Sequence, residues 1–217
     1  MTNEFPLPTI NRLCQIYNLL AELERTGTGK VSSSEMGMML GISPQSIRKD
    51  ISLVGDVSST GARYDVAKLK AHLADKFGFD CERRACIVGV GRLGSAILDY
   101  GQLGIHGYTI IAGFDSNMNT IETKKTKVKL YPAYQIADVV QREKIELAVL
   151  CVPAQAAQGA ADKLIDGGIR GIVNFTPAVI TSKKDDVFVA QIDVVKEFRV
   201  LSAMISLSSG SRSSRSQ

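Results

Sequence analysis

Apolar residues in the first eighty positions recur at helical spacing. Between residues 10 and 25 they fall on one face, which predicts an amphipathic helix that ends before the segment TGTGK. The residues on that face are Ile10, Leu13, Ile16, Tyr17, Leu20 and Leu23. A shorter helix is predicted after the serines at 32–34, with Met36, Met39 and Leu40 turned inward.

A third helix is predicted to follow Ser43, a good N-cap residue, with Pro44 at the first helical position, where a missing N–H costs nothing. The isoleucines and the valine of PQSIRKDISLV are predicted to face inward. Its outward face is polar and basic, and consists of Gln45, Ser46, Arg48, Lys49 and Ser52. Two helices joined by a tight turn at Gly41 predict a helix-turn-helix unit, whose second helix enters the major groove of DNA.

Residues 55–66 are predicted to form a hairpin, where a winged-helix domain carries its wing, and one more helix ends near Gly78. From Ala85 the pattern changes. Short runs rich in valine and isoleucine now alternate with helix-like segments: ACIVGV, TIIAGFD, LAVLCVP, GIVNF and VFVAQIDVV. That alternation is typical of a parallel sheet with crossover helices.

We therefore predict an α/β protein with two domains. A winged helix-turn-helix domain occupies residues 1–78, and a Rossmann-type parallel sheet occupies residues 85–193, after a linker at 79–84. The apolar helix at 194–207 is too hydrophobic to be exposed, so a second subunit is expected to cover it. Residues 208–217 are of low complexity and are predicted to be disordered.

Composition and charge narrow the classes of function. No stretch approaches the roughly 20 apolar residues of a membrane span, and the N-terminus lacks a signal-peptide core, so we expect a cytoplasmic protein. The four cysteines form no CxxC pair and the two histidines no cluster, so neither a disulfide framework nor a metal site is expected. The net charge of +4 suggests an acidic partner such as nucleic acid. Residues 1–80 hold nine basic and nine acidic residues, so a local patch must bind it.

The segment IVGVGRLGSAILDYG carries the spacing Gly-x-Gly-x-x-Gly directly after an apolar run. Gly89 allows a tight turn, Gly91 lets a pyrophosphate approach the backbone, and Gly94 lets helix and strand pack closely. The helix N-terminus that follows offers free N–H groups to the phosphates. Asp115, at the end of the next strand, is expected to bind ribose hydroxyls and to favour NAD over NADP. The predicted turn also includes Val90, Arg92 and Leu93.

Two later strand ends are expected to line the same crevice, because ligands bind at the carboxyl ends of parallel strands. They are Val152-Pro153-Ala154 and Asn174-Phe175-Thr176-Pro177, although both segments are also compatible with ordinary loops that bind no ligand. A dehydrogenase would need a proton donor or acceptor beside its substrate. His106 lies in the loop before the second strand, and Tyr100, on the first helix of the sheet domain, has no evident basic partner. The nucleotide is therefore predicted to be sensed and not consumed.

This combination resembles the Rex family of redox-sensing transcriptional repressors, over nearly the whole chain from PLPTINRL to about Leu207. The segments that carry the resemblance are VSSSEMG, SIRKDIS, IVGVGRLGSAILDY, VPAQAAQGAADKLIDGGIRGIVNFTPA and QIDV. The resemblance implies a homodimer whose C-terminal helices swap between subunits. It also implies that each Rossmann domain binds NADH or NAD⁺, and that NADH releases the protein from palindromic operator DNA.

The resemblance also implies roles for individual residues. Gly89, Gly91 and Gly94 would hold the pyrophosphate, and Asp115 the adenosine ribose. Tyr100 and the two strand ends would lie near the nicotinamide. The implied DNA contacts are Ser32 and Ser33 before the second helix, and the basic pair Arg48 and Lys49 on the outward face of the third helix. Asp193 matches the family's acid that couples nucleotide state to the DNA-binding domains.

The chain departs from the family pattern at Leu53-Val54, Thr60, Arg63 and Asn18. Thr60 replaces a family arginine of the wing, for which Arg63 is a candidate substitute. Asn18 replaces the arginine that pairs with the acid at 193, and Arg12 is one candidate partner for that acid. Two alternatives stay open: an NAD(H)-binding paralogue with altered or lost operator recognition, and a small NAD-dependent oxidoreductase.

Overall fold

The computed structural model describes residues 5–55, 59–60 and 63–213. Contacts divide the chain into two compact units, Met1–Cys81 and Glu82–Gln217. This boundary lies inside the predicted linker, but that linker is two residues too long, because a strand already begins at Arg83. The sequence did not indicate this start because its first two residues are charged: Arg83 lies at the start of the strand and donates to the Glu146 carboxylate at 2.5 Å.

The first unit, in its described residues, combines four helices with a small antiparallel sheet. In chain order these are α1 (Leu7–Arg25), β1 (Lys30–Ser32), α2 (Ser33–Leu40), α3 (Pro44–Val54), β2 (Ser59–Thr60), β3 (Arg63–Asp65) and α4 (Val66–Phe77). The strand order is β1-β3-β2, so the predicted hairpin is joined by β1, which the sequence did not indicate. The rest of the predicted wing, residues 56–58 and 61–62, lies outside the described residues.

Sequence signals explain where α2 and α3 begin. Ser32 caps α2 by accepting from the Glu35 N–H, while Glu35 accepts from the Ser32 N–H at 2.6 Å, which is a complete capping box. Ser43 caps α3 as its side chain accepts from the Ser46 N–H, and Pro44 occupies the first helical position, as predicted. Gly41 takes the left-handed conformation, with φ 68°, that ends α2 and makes the tight turn.

The core of the first unit confirms the stripe on α1 but corrects one residue of α2. Leu13, Ile16 and Leu20 are fully buried, as is Met36. Met39, predicted to face inward, is 58% exposed. The buried positions of this helix follow the spacing 33, 36 and 37 instead, because the backbone packs tightly there. A Cβ at Gly37 would lie 2.5 Å from the carbonyl of residue 42.

The second unit is an open, six-stranded parallel sheet with helices between all consecutive strands except β8 and β9. Its elements are β4 (Arg83–Val88), α5 (Arg92–Leu98), α6 (Gln102–Ile105), β5 (Tyr108–Asp115), α7 (Met118–Thr123), β6 (Lys129–Pro132), α8 (Ile136–Glu143), β7 (Leu147–Leu150), α9 (Ala154–Asp166), β8 (Gly171–Asn174), β9 (Phe188–Gln191) and α10 (Val194–Ser213). The strand order is β6-β5-β4-β7-β8-β9. The order reverses beside β4, which is the switch point where such sheets bind ligands.

The last helix, α10, extends further than the sequence predicted. It begins at Val194 and continues to Ser213, so the prediction of disorder from residue 208 fails as far as 213. Serine hydroxyls of this helix donate back to its own carbonyls, as when Ser202 donates to Phe198 and Ser206 to Ser202. Within the described part of the chain, no helix combines the length and apolar character that a membrane span requires.

Candidate nucleotide cleft and DNA-binding surface

The glycine-rich turn connects β4 to α5, and backbone conformation and packing within the protein require two of its glycines. Gly89 has φ 91°, and a Cβ there would lie 2.5 Å from the Cys151 carbonyl oxygen. A Cβ at Gly94 would lie 1.9 Å from the Gly89 carbonyl oxygen. Gly91 differs, because its φ is −71° and a Cβ there would meet no atom within 4 Å. Neither strain nor packing explains glycine at 91, which leaves room for a ligand to approach the backbone.

A cavity of about 450 Å³ opens beside this turn, within the range of small-molecule sites. Five predicted residues line it: Gly89, Gly91, Asp115, Val152 and Pro153. The sequence did not indicate its other polar lining, Ser116, Cys151 and Lys163. No histidine or tyrosine is among the described residues that line it, and half-burial raises the pKa of the Cys151 thiol to about 11, which leaves it protonated at neutral pH.

Asp115 ends β5 next to the turn, and its carboxylate is held in place on both sides. One oxygen accepts from the backbone N–H of Val90 and the other from that of Asn117, each at 2.9 Å. A carboxylate oxygen can accept more than one hydrogen bond, so both keep acceptor capacity. The arrangement can therefore bind two neighbouring hydroxyls, such as those of a ribose.

The remaining residues predicted for the cofactor lie outside the described lining of the cavity. Val90, Arg92, Leu93, Gly94 and Ala154 belong to the turn or to the first turns of α5 and α9. Tyr100 is exposed and lies two residues after α5 ends at Leu98, not on the helix as predicted.

The loop after β8 is built around two buried side chains. The Asn174 amide donates to the Ala178 carbonyl at 2.8 Å and to the Gln191 side chain at 2.7 Å, and it accepts from the Thr176 N–H. Gln191 in turn donates to the Thr176 carbonyl at 2.6 Å. Asn174 and Thr176 therefore fix the shape of the loop, while Phe175 and Pro177 retain accessible surface.

The predicted DNA-binding face of α3 is exposed at Gln45, Arg48, Lys49 and Ser52. The fifth member, Ser46, is half-buried and donates its N–H to the Ser43 cap. We call α3 the recognition helix from here on. Arg48 and Lys49 form a local basic patch on this helix. DNA binding would require such a patch, because the charges of residues 1–80 balance.

Three predicted DNA contacts are engaged within the protein. Ser33 is buried and its hydroxyl accepts from the Arg48 guanidinium at 2.9 Å, so it orients Arg48. Ser32 is used by the capping box. Arg63 donates to Glu35 at 2.9 Å and to the Lys30 carbonyl at 3.1 Å. The Ser32 N–H, the Ser32 hydroxyl and then Arg63 together lower the pKa of Glu35.

An ion pair that the sequence did not indicate anchors the recognition helix. Asp50 lies on α3 and is 1% exposed, and Arg12 of α1 donates to both its carboxylate oxygens, at 2.5 and 2.9 Å. Arg12, which the sequence offered as one candidate partner for Asp193, is thus paired with Asp50 in its own unit. Asp193 caps α10 by accepting from the Lys196 N–H at 3.0 Å.

Comparisons with known proteins decide the family. A family described as "Putative DNA-binding protein N-terminus" matches residues 4–52, and one described as "CoA binding domain" matches residues 80–178. The redox-sensing transcriptional repressor Rex of Clostridium botulinum is 32% identical over 179 residues, 82% of this chain and 85% of that protein. The chain belongs to the Rex family. The Rex protein of Porphyromonas gingivalis is 35% identical over 177 residues, 82% of this chain and 81% of that protein.

Solved Rex-family structures match over almost the full length. RSP, a Rex-family repressor, has been solved in complex with NAD⁺ and operator DNA, and this structure covers 98% of each chain with a TM-score of 0.87 at 27% identity. RSP in complex with NADH covers 96% of this chain and 98% of its own, with a TM-score of 0.84 at 26% identity. Both units of the chain thus have counterparts in one Rex repressor.

Proposed function

We propose that this protein is a cytoplasmic redox-sensing repressor that binds palindromic operator DNA and is released when NADH binds. The observation that carries the proposal is the full-length similarity to RSP, a repressor solved with NADH in one structure and with NAD⁺ and operator DNA in another. A match over 98% of the chain includes both the cleft and the recognition helix, so the two activities are proposed together.

The cleft supports the nucleotide half of the proposal. Gly91 leaves the backbone open to a pyrophosphate, and Asp115 presents a fixed carboxylate to a ribose. Val152, Pro153 and the loop 174–177 would lie towards the nicotinamide, together with Tyr100. A ligand shifts the equilibrium between two conformations of a protein only if it binds one of them more tightly than the other. NADH and NAD⁺ must therefore differ in their affinity for the conformation that releases DNA.

The recognition helix supports the DNA half. Arg48 and Lys49 would contact bases or phosphates in the major groove, with Gln45, Ser46 and Ser52 beside them. A homodimer would present two such helices to the two halves of a palindrome. The exposed apolar side chains of α10, including Val195, Phe198, Leu201 and Met204, support dimerisation through that helix.

A second candidate is an NAD(H)-binding paralogue with altered operator recognition. The contact of Arg63 with Glu35 favours it, because the cation proposed to replace the missing wing arginine is already paired within the protein. Asp193, as cap of α10, would still be placed to couple nucleotide state to the dimer, but through a partner other than Arg12.

The test is fluorescence anisotropy of a labelled Rex-type palindromic duplex, titrated with the protein and then with NADH or NAD⁺. Tight binding that NADH reverses and NAD⁺ does not is the expected result. Gly94→Ala is the matched control, because it should bind the duplex and fail to respond to NADH. Equal affinity of the protein for NADH and NAD⁺ would overturn redox sensing, whereas NADH binding without duplex binding would favour the paralogue.

A further inference from the structure

A lysine that no sequence motif indicated reaches the glycine-rich turn. Lys124 directly follows α7 and is half-buried. Its Nζ donates to the Val90 carbonyl at 3.0 Å and to the Ser95 hydroxyl. The Ser95 hydroxyl also contacts the Gly91 carbonyl, at 2.5 Å. Lysine and serine thus bind two carbonyls of a turn whose Gly89 and Gly91 line the cavity.

Val90 is consequently held at both of its backbone polar groups. Its N–H donates to Asp115, the proposed ribose ligand, and its carbonyl accepts from Lys124. Among the described residues Lys124 forms no ion pair with a carboxylate, so its positive charge is not neutralised by a neighbour. A carbonyl oxygen carries partial negative charge and would repel a nearby phosphate, and an ammonium group bound to it reverses that local field.

We propose that Lys124 is a positioning residue for the diphosphate of the bound dinucleotide. It fixes the turn at Val90 and brings an uncompensated positive charge to the turn that borders the cavity. This inference rests on the proposed function, since it assumes that the cleft binds a dinucleotide. A merely structural lysine would stabilise the turn equally for any ligand and at any ionic strength, and that difference makes the proposal testable.

The experiment measures dissociation constants for NADH and for ADP by calorimetry, at about 0.05 M and about 0.5 M salt. Lys124→Met keeps an unbranched side chain that is one heavy atom shorter, and removes the charge. It should weaken both ligands about tenfold at low salt and by much less at high salt, because salt screens the interaction. Lys124→Arg restores a cation and should stay within about threefold of the wild type. Lys125→Met removes an exposed neighbouring charge and is the matched control, with little change expected.

Two results would overturn the proposal: unchanged affinity in Lys124→Met, or an equal loss at both salt concentrations that Lys124→Arg does not recover. ADP carries the diphosphate without the nicotinamide, so the effect can be measured even where NADH does not release DNA. Failure of that release counts against the proposed function alone. A wild-type protein that binds neither ligand removes both proposals.

Discussion

Replacing Arg12 with methionine leaves the Asp50 carboxylate of the recognition helix without the guanidinium that neutralises it. Asp50 is 1% exposed and accepts two hydrogen bonds from Arg12, at 2.5 and 2.9 Å. Removing one partner of a buried ion pair costs about 3–5 kcal/mol, because the remaining charge stays desolvated. The Arg12 side chain keeps 31% of its surface accessible, so water already screens the pair. We therefore expect a loss near the lower limit, about 3 kcal/mol.

A loss of that size matters to a small domain, whose free energy of unfolding is typically about 5–10 kcal/mol. It also removes the ion pair that fixes α3 against α1, so operator binding should weaken while ADP binding to the second unit stays unchanged. Arg12→Met combined with Asp50→Leu leaves no buried charge. The double variant should recover most of the stability, because well-packed apolar side chains replace buried ion pairs at little or no cost.

The assay is a double-mutant cycle of wild type, two single variants and the double variant. Hydrogen exchange of peptides from α1 and α3, measured by mass spectrometry, gives the opening free energy of this unit separately from the sheet domain. Circular dichroism during urea unfolding checks the whole chain. A loss below about 1 kcal/mol in Arg12→Met, or a double variant no more stable than the single one, would refute the reasoning.

Three further predictions follow from individual contacts. Gly94→Ala should abolish NADH binding, because its Cβ would lie 1.9 Å from a turn carbonyl; wild-type affinity by calorimetry would contradict this. Arg48→Ala should weaken operator binding more than Arg63→Ala, because Arg63 is paired with an acid; anisotropy titrations compare them, and the reverse order would contradict the contact geometry. Burial raises the pKa of Cys151 to about 11, so its alkylation rate should rise about tenfold per pH unit from pH 7 to 10 and stay below that of the exposed Cys81. Mass spectrometry of peptides from the alkylated protein measures both rates. A plateau of the Cys151 rate near neutral pH would contradict the burial.

Local sequence signals predicted most of the fold, because short-range physics determines those features. The glycine spacing at 89–94 and the capping residues Ser32 and Ser43 act within a few positions of themselves, and the structure has the turn and both helices where they indicate. The prediction that Met39 faces inward was wrong for a related reason. An eight-residue helix contains barely two turns, too few for apolar spacing alone to fix which face is inward.

The candidate site was less predictable where it depends on distant pairs. Arg12 and Asp50 are 38 positions apart, and Lys124 and Val90 are 34 apart, so no local pattern joins them. Asn174 marked the correct strand end, but a sequence does not distinguish an amide that faces a cavity from one that fixes a loop from inside. Only the tertiary contacts of a buried side chain separate these two roles.

The nucleotide cleft and the DNA-binding surface differ in how far they are preorganised for their ligands. We expect the affinity of the less preorganised one to differ more from that of other Rex proteins. In the cleft, the contacts of Val90 with Asp115 and Lys124 hold the turn open, and a ligand can bind without breaking them. On the proposed DNA-binding side, Arg48 uses one of its N–H donors on Ser33 and keeps the others, whereas Arg63 is paired with Glu35, so a phosphate must compete with that carboxylate for Arg63. This competition reduces the net gain from a DNA contact of Arg63. Nucleotide affinity is therefore expected to resemble that of other Rex proteins, and operator affinity is where this chain should differ.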